Sequence, residues 1–153
     1  MNRKIFFLIL SAWIVASLTS CTPGSCFEKT DSLLDVTFYD SVTKKVITPD
    51  SLTVFGLGID TARIYSASRG IKKASLPLNS AADNSIFIIT INKITDTLSV
   101  FYSSYPHLIS KECGYTFYHQ IDSLFHSRNA IHSILIIKRT VTNEDEDNLH
   151  LYY

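Results

Sequence analysis

Apolar and polar residues alternate with a period of two along most of this chain. Leu34, Val36 and Phe38 alternate with Asp35, Thr37 and Tyr39, which predicts a strand with one buried face. Lys44–Asp50 turns the chain, and Ser51–Leu57 is the second strand, where Gly56 and Gly58 mark a bulge or a close backbone approach. Arg63–Ser66 and Ala74–Leu78 read as short strands flanking a turn at Ser68–Gly70. Pro77 cannot donate to a ladder, so it confines the latter to an edge or a strand end. Asn79–Asn84 is a loop. Ile86–Asn92 and Thr97–Tyr102 form a hairpin joined by Lys93–Asp96, and the first of them, apolar on both faces, belongs in the middle of a sheet. Tyr105–Ser110 continues extended, Tyr115–Tyr118 is an aromatic-rich strand, and Ile131–Ile137 and Leu149–Tyr153 complete the set. Ile121–Arg128 is the one helical candidate, with Ile121, Leu124 and Phe125 at helical spacing; a loop between strands is the other reading. The acidic run Glu144–Asp147 is expected to be solvated at a hairpin tip, where charge discourages edge pairing.

Eight or nine short strands with almost no helix predict an antiparallel β-sandwich of immunoglobulin-like or transthyretin-like kind over residues 33–153. A closed β-barrel is the alternative.

The first residues follow a different pattern. Arg3 and Lys4 precede an apolar stretch from Ile5 to Leu18, and small residues then lead to Cys21. A basic start, an apolar middle and a small-residue cut site describe a secretory signal peptide over 1–20. A transmembrane anchor needs about 20 apolar residues, more than this stretch supplies. Leu18-Thr19-Ser20-Cys21 resembles the lipobox of bacterial lipoproteins. That resemblance implies cleavage before Cys21, a diacylglyceryl thioether on its sulfur and acylation of its amino group. Several acyl chains exceed the two-signal threshold for stable anchoring. Residues 21–32, polar and turn-prone, read as a lipidated tether.

Losing Arg3 and Lys4 with the leader leaves 12 basic against 14 acidic side chains, a net charge of −2. Basic pairs are scattered, so no positive footprint for nucleic acid is present. Cys26 and Cys113 remain, and an even remainder in an exported chain points to a disulfide, with two separate buried thiols as the other reading.

Candidate chemistry is sparse. His107, His119, His126, His132 and His150 show no familiar zinc spacing; a convergence of His119, His132 and His150 across strands is outweighed by ordinary strand positions, so no metal or cofactor is expected. Cys113 lacks the surroundings of a nucleophilic thiol, and no Gly-x-Ser-x-Gly elbow or Ser-x-x-Lys occurs after the leader. Gly56-Leu57-Gly58 is too sparse for a phosphate cradle, and the 144–147 run lacks the ligand pattern of an EF-hand. The eight tyrosines, Tyr102, Tyr105, Tyr115, Tyr118, Tyr152 and Tyr153 among them, are expected to pack across strands, an aromatic binding platform being the alternative. No catalytic residue is assigned.

Several segments together carry a wider likeness: Cys21 with Cys26, Asp50–Gly58, Ser75–Asn79, Thr97–Tyr102, Glu112–Tyr115 and the acidic turn with Asn148–Tyr153. In these the chain resembles a family of small uncharacterised lipoproteins from Bacteroidota, a domain of unknown function. The likeness implies fold and location and supplies no activity. No acidic patch follows Cys21, so the expected location is the periplasmic face of the outer membrane. The expected role is non-enzymatic: binding an envelope protein partner or supporting an assembly. Binding of a small glycan or lipid, and an envelope hydrolase, are the alternatives.

Overall fold

The computed structural model describes residues 26–58 and 63–153. The expected leader over 1–20, Cys21 and the tether up to residue 25 lie outside the described residues. The chain builds ten strands, β1 (Leu33–Tyr39), β2 (Leu52–Leu57), β3 (Arg63–Ser68), β4 (Lys73–Pro77), β5 (Asn84–Ile91), β6 (Ile94–Ser110), β7 (Gly114–His126), β8 (Ser133–Ile136), β9 (Thr140–Val141) and β10 (Leu149–Tyr152). One sheet has the order β4-β1-β10-β8 and the other β3-β2-β5-β6-β7-β9. This is an all-β sandwich. Leu34, Val36 and Phe38 of β1 and Leu149 and Leu151 of β10 face Leu52, Phe87, Ile89, Leu98 and Val100 of the larger sheet, all essentially solvent-free.

Named strands pair antiparallel except for β1 and β10, which run parallel with Val36 opposite Leu149 and Phe38 opposite Leu151. The reason is the route of the chain. β9 belongs to the six-stranded sheet, so β10 enters the other sheet by a crossover, the connection that parallel neighbours require. β5 is central, as its two apolar faces predict, and Pro77 ends the edge strand β4.

The helical candidate is overturned: β7 stays extended through His126. Tyr102 lies opposite Ile121 and Phe101 opposite Ser123, which leaves Asp122 as an extra residue bulged out of the ladder. The bulge shifts the inward positions from Ile121 to Leu124, a step of three that imitates helical spacing.

The β5–β6 turn is tighter than expected. Ile91 pairs with Ile94, so only Asn92 and Lys93 form the loop, with φ of 48° and 76°. Two residues with positive φ are the hallmark of a hairpin turn whose twist matches the strands. Lys93→Gly is expected to stabilise the fold by about 0.5–1 kcal/mol, because glycine adopts this φ without a Cβ clash. Urea unfolding would show a higher midpoint at unchanged slope; a lower midpoint would contradict the strain.

β6 and β7 are the longest strands, 17 and 13 residues, and together make an arm. The pairs Pro106–Phe117 and Leu108–Tyr115 lie on the face that carries Tyr102 and Ile121. Tyr102 and Ile121 are buried in the core, but these outer pairs have run past it and are exposed.

Candidate functional site

At the arm tip Cys26 and Cys113 form a disulfide with Cα atoms 4.8 Å apart. It fastens the strap of residues 26–32 to the β6–β7 turn. Further along, Thr116 Oγ1 donates to the Thr30 carbonyl at 2.6 Å and Asn143 Nδ2 donates to the Lys29 carbonyl at 2.8 Å. The strap therefore shields the part of β7 that β9, paired only at His119 and Gln120, leaves bare.

A hollow of about 210 Å³ opens beneath the strap, lined by Ser32, Leu78, Phe117 and His119 among others. The Ser32 hydroxyl is buried without a partner among the described residues. His119 is also buried; its Nδ1 lies 2.8 Å from Ser104 Oγ, and its ring meets Tyr102 edge-on. Burial pushes its pKa below the usual imidazole value, which favours the neutral ring. Among the described residues no carboxylate hydrogen-bonds this histidine, so Ser104 and His119 do not make the three-part relay of a hydrolase.

A larger hollow, about 460 Å³, lies beside it across Pro77 and Leu78, walled by Gly56, Ile64 and Phe87 and rimmed by Asn79, Asn84 and Ser85. Part of its polar rim is already engaged. Tyr102 Oη takes a hydrogen bond from the Asn79 amide at 2.9 Å, donates to the Asn79 carbonyl at 3.0 Å, and lies 2.7 Å from Ser85 Oγ.

The outer face of the six-stranded sheet is unexpectedly apolar. Leu57, Ile86, Ser99 and Phe125 follow one another across β2, β5, β6 and β7, with Phe55–Ile88 and Phe101 in the flanking rows. Phe125 is 64% exposed, Leu57 47% and Phe101 37%, and the rings of Phe101 and Phe125 meet edge-on at 5.8 Å. Arg63 lies over the Phe55 ring at 5.1 Å, a cation–π contact at the rim.

Two polar clusters escape a reading of the sequence. The buried Asp96 carboxylate accepts from Ser127 Oγ and from the amides of Asn129, Ala130 and Ile131, the last three at 2.9, 2.6 and 2.8 Å. Burial alone would raise its pKa; the hydrogen bonds outweigh it, and the carboxyl sits below its ordinary value. In the second cluster Asp35 accepts from Ser75 Oγ at 2.6 Å and lies 3.4 Å from Lys73 Nζ. Lys73 also bonds Asp145, which raises its pKa, and Asp147 receives the Thr37 hydroxyl at 2.8 Å. Lys138 holds Glu146. The acidic run is thus no free hairpin tip: it connects the two sheets, and three of its four carboxylates are clamped, though Asp145 is still largely exposed.

The histidines stand apart from one another. His107 stacks on Tyr118 at 4.1 Å, His126 Nδ1 lies 2.7 Å from the Ser127 carbonyl, His150 sits against Tyr39 and His132 is exposed. Among the described residues no group of three or more His, Cys, Asp or Glu side chains is placed to hold a metal. Tyrosines divide. Tyr105 packs edge-on against its cross-strand neighbour Tyr118, whereas Tyr115 is bare at the arm tip.

Compared with known proteins, the chain matches over residues 51–153 a model described as a family of unknown function (DUF6452). No curated protein and no solved structure matches it. The matched range begins just before β2 and leaves out β1, although β1 joins β4 to β10 at the centre of the smaller sheet. The folded unit is larger than the matched segment.

Proposed function

The chain belongs to the DUF6452 family, and we propose that it is a lipid-anchored envelope protein that docks a protein partner on the outer face of its six-stranded sheet. The observation that carries this reading is the band Leu57–Ile86–Phe125 with Phe101 beside it. Apolar side chains on an exposed sheet face are what an interface core is made of. The Cys26–Cys113 pairing supports export, since disulfides persist in oxidising compartments. Lipid on Cys21 then holds the body at the periplasmic face of the outer membrane. Asp96, Asp35 and Tyr102 are satisfied by structural partners, which favours binding over catalysis. A small glycan or lipid in the larger hollow is the second reading, favoured by its apolar walls and polar rim.

Crosslinking and pull-down from native membranes tests the docking face. The paired substitutions Phe101→Ser and Phe125→Ser are expected to abolish recovery of the partner while leaving the thermal midpoint nearly unchanged, because both rings are exposed. Equal recovery with wild type and variant sinks the docking face. Radiolabelled palmitate tests the anchor separately: incorporation is expected in the wild type and lost in Cys21→Ala.

A further inference from the structure

We propose that the tip of the β6–β7 arm docks on the lipid bilayer, its exposed apolar side chains entering the headgroup region of the membrane that holds Cys21. This rests on the anchored reading above and adds an orientation to it.

The argument begins with reach. Cys21 and Cys26 are five residues apart, a span of at most about 18 Å when fully extended. Cys26 is joined to Cys113, in the turn that closes the arm. Acyl chains on Cys21 therefore hold the tip of the arm near the membrane surface, whereas the far end of the arm is not tied to it.

What the tip presents suits that place. Phe27, next to the bridged cysteine, is 92% exposed, and Tyr115 is 73% exposed. Leu108 lies opposite Tyr115, and Phe117 lies one inward position further along, both also exposed. Leu108, Tyr115 and Phe117 continue the core-facing side of the arm beyond the core, where each is left exposed. Aromatic rings and aliphatic side chains of this kind settle at the water–lipid boundary, about 5–10 Å deep. Charge does not drive the contact. Lys29 and Lys111 are set against Glu28, Asp31 and Glu112 in the strap and turn, so anionic headgroups gain no net attraction. Insertion is expected on zwitterionic lipid and with little salt dependence.

The geometry also sets what stays out of the membrane. Tyr115 and Phe125 are ten residues apart on β7, about 34 Å of strand. An arm standing on its tip leaves the band around Phe125 in the aqueous phase, free for a partner.

Trp13, the one tryptophan, lies in the leader, so a tryptophan placed in the body of the processed chain is a lone reporter. The full chain is expressed with its leader, purified with its acyl groups and reconstituted in phosphatidylcholine vesicles with or without dibrominated acyl chains. Tyr115→Trp is expected to show blue-shifted emission and to lose most of it to the brominated lipid. Phe125→Trp is expected to keep its emission. Phe27→Trp is a second tip reporter should Tyr115→Trp fold poorly. Unquenched tip reporters in acylated protein overturn the inference and leave the anchor standing. Quenching at Phe125→Trp as well means the body lies flat, which also overturns it. A chain carrying no acyl label removes the anchor and this inference together.

Discussion

Asp96→Ala is expected to destabilise the fold by about 3–5 kcal/mol, which is large against the total stability of a domain this size. Four donors converge on this carboxylate, and the amide of Ile131 is itself buried. Without the acceptor, donors that lost their water on folding are left unsatisfied. Asp96→Asn should cost nearly as much, because its amide sets hydrogens against other donors. The loop that Asp96 holds delivers Ile131 to the core and leads into β8, so the damage should spread to the edge of the smaller sheet. The sign of the pH dependence follows from the lowered pKa. The contribution is complete above the unfolded value of about 3.9 and is lost as pH falls through the lower folded value. The gap between wild type and Asp96→Asn in urea unfolding should therefore narrow below about pH 4. A gap under about 1 kcal/mol at pH 7 would mean the loop is held by something else.

The second large effect belongs to the disulfide. Cys26 and Cys113 are separated by 87 positions, and closing such a loop stabilises a fold by about 4–5 kcal/mol if chain entropy dominates. The double variant Cys26→Ser/Cys113→Ser should lower the urea midpoint accordingly, and reductant should bring the wild type to the same place. Amides of β7 near Thr116, which the strap shields, should lose protection from hydrogen exchange before those of β5. Oxidised protein that shows two free thiols by mass spectrometry would refute the bridge.

The two effects differ in how visible they are in the chain. The bridge is legible because, once Cys21 is set aside as the expected lipidation site, Cys26 and Cys113 are the two cysteines that remain. Asp96 is not: an aspartate flanked by Thr95 and Thr97 near a turn looks solvated, and only the return of residues 127–131 supplies its donors. Ile121–Arg128 failed for another reason. A β-bulge is defined by the partner strand, so its displaced alternation mimics a helix when β7 is read alone. Asp35 and Thr37 likewise read as the wet side of a strand, yet the segment around Asp147 and Asn148 folds over them. The candidate docking face was half visible. Both faces of β5 are apolar, which placed it mid-sheet, but its neighbours on the open side come from β2, β6 and β7.

By itself, then, the sequence determined most of the strands and the cysteine pair, because side-chain alternation and turn chemistry are properties of short stretches. Tertiary structure alone decided which strands adjoin, including the parallel contact of β1 with β10, which polar groups are satisfied indoors, and which apolar residues meet on an outer surface. Those depend on partners far along the chain, and no local pattern of residues carries that information.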